Sequence, residues 1–354
     1  MNAVCSRIRI LNKIAKNVFC CVIFSIVVNN TQAIVLYSGD NGANLTAPDT
    51  ARTNIFNSVA KITNSNGTSM IGSAVHLKDK YLLTAEHVLY NDELPRRTHV
   101  SFDGINYLAI DLDFKPIQIG NADLVLFKLI EDPNLPDTQL YNSTNEYNKT
   151  GTLIGFGYGR DPDQENLTDI NRRWDWSYPD TTTIKKRWGT NTVNLTGNLS
   201  YTYNVPGHNI TYSFAHLRTT LNAGINSEAG LAYLDSGCGF FINYFGNWKL
   251  AGITSVRSVS ENVNPNSDPS NPHSSFGNSN SNSDENYFIR ISQYRQTILN
   301  NIPDTSTYTG WAIDNSLYGV DAETTADPDL DGLNNQTEFN LNTNPNLLDT
   351  DSDG

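Results

Sequence analysis

Cysteine is scarce: four occur in 354 residues, and three of them, Cys5, Cys20 and Cys21, lie within the first 21 positions. Loss of that leader would leave Cys238 alone, and a lone cysteine excludes an internal disulfide. Secreted animal domains usually lean on disulfides, so a secreted chain of this size without one points to a bacterial origin. Basic charge is also in deficit, with 24 Lys and Arg against 37 Asp and Glu, for a net charge of −13. That balance argues against nucleic acid as a partner, because phosphate neutralisation needs clustered cations. Long apolar runs are few. "NVFCCVIFSIVV", Asn17 to Val28, spans 12 residues, short of the roughly 20 that cross a bilayer as a helix. No second run of membrane length follows it, so no transmembrane segment is expected in the mature chain. Helical periodicity is nearly absent, and only "RISQYRQTILNNI", Arg290 to Ile302, carries it convincingly. The histidines His76, His208 and His216 show no metal-ligand spacing and read as structural or surface residues.

The leader itself has a recognisable order. Arg7, Arg9, Lys13 and Lys16 precede the apolar run, and Thr31 and Ala33 sit at the small-residue positions of a cleavage site. Residues 1–33 are therefore expected to be a secretory signal, removed after Ala33. The mature protein is expected to be secreted or extracellular, with the periplasm or cell surface as further options. From Asn57 to Ile302 short β-like runs recur: "SVAKIT", "SAVHL", "YLLTA", "LVLFKLI", "GFFIN", "KLAGITSV" and "YFIRI". Gly, Asn, Asp and Pro clusters separate them, the pattern of an all-β sandwich or barrel. Arg160 to Asn191 and Val259 to Asn286 interrupt the pattern and read as surface loops. Residues 34–302 are expected to form one domain, 303–326 a linker, and 327–354 a separate acidic module.

"LLTAEHVLY" places His87 among apolar neighbours, where it reads as a buried, hydrogen-bonded histidine or as a catalytic base. "NADLVLFKL" sets Asp123 at the head of an apolar strand, and "AYLDSGCGFF" sets Ser236 in a small-residue turn. Each alone is an ordinary turn signal. Together they supply base, orienting carboxylate and hydroxyl nucleophile, the three parts of acyl-transfer chemistry.

Three motifs in this order resemble the trypsin-like (chymotrypsin-fold) serine proteases. "LLTAEHV" is similar to their Thr-Ala-Ala-His motif, "ADLVLFKL" to their Asp-Ile-Ala-Leu-Leu-Lys-Leu strand, and "LDSGCG" to their Gly-Asp-Ser-Gly-Gly-Pro motif. "IGFGYG", "LAGITSV" and "YFIRISQYRQTI" resemble the family's Gly-Trp-Gly segment, groove strand and closing helix. The resemblance covers roughly residues 50 to 302. It implies two six-stranded antiparallel β-barrels with a C-terminal helix and a site in the cleft between them. It also implies a serine endopeptidase acting on protein or peptide substrates, with His87 as base, Asp123 as orienter and Ser236 as nucleophile. The oxyanion hole would be the N–H groups of Leu234 and Ser236. Gly230, Ser255 and Arg257 would line the substrate groove, and Asp235 would pair with a freshly cut N-terminus. Gly230 stands where enzymes cutting after Lys or Arg carry an acid, so that preference is not expected. The family has glycine in place of Leu234, and a left-handed backbone without glycine costs about 1–2 kcal/mol. A catalytically weak homologue, binding a protein or surface in a calcium-dependent way, is therefore the alternative. Cys238 reads as a small packing residue beside the nucleophile.

The tail, nine acidic residues from Asp321 on and no basic one, reads as a solvating segment or a cation site. "DPDLDGLNNQTE", Asp327 to Glu338, has Asp at loop positions 1, 3 and 5, Gly at 6 and Glu at 12, the calcium-loop pattern. Asp327, Asp329, Asp331 and Glu338 would supply carboxylates, Leu333 a backbone carbonyl, and Asn335 a contact through water. "DTDSDG", Asp349 to Gly354, restarts the pattern. The pair resembles bacterial thrombospondin type 3-like calcium repeats, with dockerin-type repeats second, and implies calcium as the one cofactor, with none needed for catalysis.

Overall fold

The computed structural model describes residues 34–36, 44–89, 97–159, 173–174, 184–205, 208–221, 227–232, 234–258, 276–277 and 284–348. The expected signal (1–33), most of the two expected surface loops and the second acidic motif at 349–354 lie outside them.

A short strand, β1 (Val35–Leu36), opens the described chain. The single-turn helix α1 (Thr53–Asn57) then leads into the first large sheet. That sheet holds β2 (Val59–Thr63), β3 (Met70–Lys78), β4 (Tyr81–Thr84), β5 (His99–Ser101), β6 (Leu108–Ala109), β7 (Ile117–Gln118) and β8 (Val125–Lys128). Its order is β6-β5-β2-β3-β4-β8-β7, and every described pairing in it is antiparallel. Between β4 and β5 the one-turn helix α2 (Glu86–Leu89) caps the sheet's end. Asp79 makes the tight β3–β4 turn at φ 48°, a left-handed position that short Asx side chains tolerate.

The second large sheet is built from β9 (Thr150–Gly157), β11 (Lys185–Thr192), β12 (Leu195–Val205), β13 (His208–Leu221), β15 (Gly239–Tyr244), β16 (Asn247–Ser258) and β18 (Asp284–Arg290). It runs β11-β9-β15-β16-β18-β13-β12. Two small ribbons complete the β structure: β10 (Arg173–Trp174) with β17 (Phe276–Gly277), and β1 with β14 (Ala229–Gly230). The fold is mostly β with two antiparallel sheets and a C-terminal helix, as the sequence implies. Each sheet has seven strands rather than six. Part of the segment read as a loop at 160–191 is strand β11, which pairs with β9 from Lys185 to Thr192.

β18 runs straight into α3 (Ile291–Asn300), whose Ile291 and Ile298 are buried against the main core. The long β12–β13 hairpin did not stand out in the sequence. Its strands are rich in Asn, Thr and Ser, and only the alternation Leu199, Tyr201, Tyr203 marks an inner face. Among the described residues no helix is long and apolar enough to cross a membrane.

The stretch 303–326, read as a linker, carries α4 (Tyr308–Asp314), capped by the Thr307 side chain accepting from the Gly310 N–H. Trp311, Ala312 and Leu317 form a small core with Tyr308 and Phe339. Phe339 belongs to α5 (Asn335–Leu341), capped in turn by Asn334. This unit rests on the first sheet. Asp314 forms ion pairs with Lys80 (3.6 Å) and Lys128 (3.5 Å), and Thr305 Oγ1 donates to Asp79 Oδ2.

Candidate active site

Three chain turns meet where the two sheets face each other. β4 ends at Thr84, and after Ala85 the helix α2 presents His87 in its first turn. Asp123 precedes β8, and its carboxylate lies wholly buried beneath that helix. Its Oδ1 accepts the His87 backbone N–H at 3.0 Å, and its Oδ2 lies 2.8 Å from His87 Nδ1. An ionised carboxylate has no proton to give, so Nδ1 carries the proton and Nε2 is left as an acceptor. Ser236 Oγ lies 2.8 Å from that Nε2 and donates to it. His87 is 7% and Ser236 3% exposed, so the pair is shielded yet touches solvent. A hydroxyl, an imidazole poised to take its proton, and a buried carboxylate behind it can perform nucleophilic displacement at a carbonyl.

The turn carrying Ser236 is fixed on both sides. Gly237 has φ 84°, and a Cβ there would lie 1.9 Å from the Ser73 carbonyl oxygen and 2.3 Å from Thr84 Oγ1. Only glycine fits that approach. The Ser236 carbonyl accepts the Ser73 N–H at 2.7 Å, tying the turn to β3 of the first sheet. On its other side the Gly237 N–H donates to the Thr254 carbonyl of β16. Leu234 adopts φ 80°. It holds the left-handed backbone that glycine prefers, with its side chain buried at 8% exposure. Burial of a leucine side chain contributes about 1.5–3 kcal/mol, enough to offset the about 1–2 kcal/mol of backbone strain.

Asp235 and Cys238 lie behind this turn, both fully buried. Asp235 Oδ2 accepts the Ala232 N–H at 3.1 Å, and Cys238 Sγ lies 3.0 Å from Asp235 Oδ1. Burial pushes the Asp235 carboxyl well above its usual range, against the pull of Cys238, the Ala232 N–H and Arg187. Burial, and then Asp235, push the Cys238 thiol well up. A thiol so held is a poor thiolate source, and it points at Asp235 and Ser73 rather than at His87. Gly155 makes room for it, since a Cβ there would lie 1.6 Å from Cys238 Sγ.

Of the residues assigned to the groove, Ser255 meets the triad directly, its Oγ donating to Asp123 Oδ2 at 2.6 Å. Gly230 pairs with Val35 in the β1–β14 ribbon. Arg257 Nη1 donates to the Leu231 carbonyl, bracing the segment that leads to the nucleophile. Tyrosines were missed. Tyr201 donates to Asp123 Oδ2 at 2.8 Å, Tyr203 lies 5.3 Å from the His87 ring, and Tyr212 donates to Glu86. Their signal in the sequence is only an alternation within a polar hairpin, which no spacing rule ties to a distant histidine.

The acidic loop is compact. Carboxylate oxygens of Asp327, Asp329 and Asp331 all lie within 4.8 Å of one another. Asp327 Oδ2 accepts the Gly332 N–H, Asp331 Oδ1 accepts the Leu333 N–H, and Gly332 turns the chain at φ 93°. Glu338 is fully buried, and burial followed by Asp329 and Asp331 raises its carboxyl to about 7. The Asn335 amide donates to the Asp321 and Glu323 carbonyls, holding the loop against the preceding turn. Asp327 Oδ1, Asp329 Oδ2, Asn335 Oδ1 and Glu338 Oε2 are buried without a hydrogen-bond partner. Buried oxygens left unpaired beside like charges fit a hard cation.

No family model matches the sequence, and no curated protein matches it. Solved structures do match in outline, serine proteases among them. The Rv3671c protease from M. tuberculosis in its active form is 11% identical, with 74% of this chain and 86% of that one covered at a TM-score of 0.43. The HtrA-type protease AlgW bound to a tripeptide is 16% identical, with 70% and 61% covered at 0.39. Human heparin binding protein is likewise 16% identical, with 70% and 92% covered at 0.39.

Proposed function

We propose that this chain is a secreted serine endopeptidase with a C-terminal calcium site. The observation that carries the reading is the continuous relay from Asp123 through His87 to Ser236, with both links at 2.8 Å. In attack, His87 Nε2 takes the Ser236 hydroxyl proton as Oγ bonds to the substrate carbonyl carbon. The carbonyl oxygen becomes an oxyanion, received by the N–H groups of Ser236 and Leu234. Collapse breaks the C–N bond, and the leaving amine takes the proton back from His87. A water then repeats the sequence in reverse, freeing the acid product and restoring Ser236. Asp123 stays ionised throughout and stabilises the imidazolium. A fluorophosphonate probe tests this: stoichiometric labelling that maps to Ser236 is expected. A folded protein that stays unlabelled would favour the alternative of a binding module built on the same frame.

For the acidic loop, calcium would be held by Asp327, Asp329, Asp331 and Glu338, with the Leu333 carbonyl and Asn335 completing the set. Bound there, the ion supplies positive charge that relieves the carboxylate crowding. Glu338→Gln is expected to weaken calcium binding at least tenfold, because it removes the bidentate charged ligand. Isothermal titration on the full-length secreted protein reads this directly, and equal affinities in parent and variant would remove Glu338 from the ligand set.

The N-terminus carries a third expectation. Ile34 is fully buried, and Val35 and Leu36 pair with Gly230 and Ala229 just ahead of the nucleophile turn. Cleavage after Ala33 would free the Ile34 amine on that side of the fold, where the ammonium would hold Asp235 ionised. Leaving such a buried charge unpaired costs several kcal/mol. Mass spectrometry of the secreted protein is expected to find Ile34 first. A start well downstream, or unchanged activity with one residue fused ahead of Ile34, would remove the idea.

A further inference from the structure

Asp123 is more heavily bonded than an orienting carboxylate needs. Its Oδ1 accepts the His87 N–H, while Oδ2 receives His87 Nδ1, Ser255 Oγ and Tyr201 Oη. Tyr201 comes from β12, the edge strand of the second sheet, and is 3% exposed. Its hydroxyl also lies 3.2 Å from Ser255 Oγ, so the two hydroxyls grip the same oxygen. The hairpin that delivers it is fastened to the first sheet nearby, where the Ser213 N–H donates to the Asn121 carbonyl two residues before Asp123. The ring is wedged between Tyr212 and Phe214, with centroids at 5.4 and 6.1 Å.

We infer that Tyr201 is a positioning residue for the triad, its hydroxyl fixing the rotation of the Asp123 carboxylate and drawing charge from the oxygen that faces His87. The inference rests on the hydrolytic reading of Ser236. The groups facing this pair are Glu86 on α2, Tyr203 on β12, Tyr212 on β13 and Ser255 on β16, with Arg97 acting on Glu86. Of these, Ser255 also reaches Oδ2 with its hydroxyl.

Tyr201→Phe keeps the ring and its packing and deletes only the donor. Without it, Oδ2 carries more charge and holds the imidazolium proton more tightly, while the carboxylate gains freedom to turn. The expected result is a fall in kcat of about tenfold, equal to about 1.4 kcal/mol of transition-state stabilisation, with KM near the parent value. The acid limb of the kcat/KM profile is expected to move to higher pH, which loss of packing alone would not do. Circular dichroism and a melting curve check that the variant is folded. A folded variant with unchanged kcat and an unmoved acid limb overturns the role of Tyr201 while leaving the hydrolytic reading intact. A parent that neither labels at Ser236 nor turns over overturns both.

Discussion

Ser236→Ala is expected to remove nearly all turnover of a peptide substrate, by about a millionfold in kcat, because nucleophile and base act as one unit. His87→Ala is expected to match it, and the double variant to be no worse than either single one. Non-additivity of this kind follows from the geometry. The Ser236 hydroxyl is a poor nucleophile until His87 Nε2, 2.8 Å away, removes its proton, and that nitrogen has nothing to activate once the hydroxyl is gone. The residual rate would come from binding and from the N–H groups of the turn. Cys238 supplies the contrast. It lies two residues on, but its thiol is buried against Asp235 and Ser73. Peptide hydrolysis followed by chromatography decides the matter: retained turnover in Ser236→Ala, together with loss in Cys238→Ala, would transfer the nucleophile to the thiol.

Asp314→Ala is expected to destabilise the protein by about 3–5 kcal/mol, the range for stripping one partner from a buried ion pair. Lys128 is 3% exposed on β8, and Asp314 reaches it from α4 with a carboxylate oxygen at 3.5 Å and also through its backbone carbonyl. Asp111 stands farther off at 3.9 Å, so it replaces little of the lost charge. A drop in melting temperature on the order of ten degrees is expected. The deficit should depend on pH with a definite sign. Burial lowers the Lys128 amine below its ordinary value, and Asp314 is the chief group pulling it back up. Without Asp314 the amine sheds its proton more readily in the folded state than in the unfolded one. Stability of the variant should therefore rise as pH climbs toward the ordinary lysine range, about 10.4. Lys128→Met added to Asp314→Ala should recover most of the loss. A variant that melts with the parent would show that α4 is not anchored by this pair.

The strands around His87, Asp123 and Ser236 were legible because short apolar runs bounded by turn residues have few other readings. The closing helix was legible for its period, with Ile291 and Ile298 on one face. Ser236 sits in a turn whose small residue is demanded by close approach, as Gly237 against Ser73 shows, so motif and geometry agree there. The strand count and the β12–β13 hairpin were not legible. Thr, Asn and Ser alternate there with tyrosines, and burial of those tyrosines depends on a partner sheet far away in sequence. The segment 303–326 was misleading for a related reason. Its composition is polar, yet Trp311 and Asp314 are buried because Phe339, Lys80 and Lys128 complete their surroundings. Leu234 illustrates the converse case, in which a side chain expected to resist a left-handed turn adopts φ 80°.

The bond from the Ser73 N–H to the Ser236 carbonyl has a mechanical meaning. One half of the molecule carries His87 and the other Ser236, and this backbone link spans the seam between them at the residue that bears the hydroxyl. The alignment of His87 and Ser236 is thus a gauge of how tightly the halves are latched. Where heat or denaturant parts the halves, the contact between His87 and Ser236 is expected to be lost while both sheets are still intact, so the seam would act as a fuse.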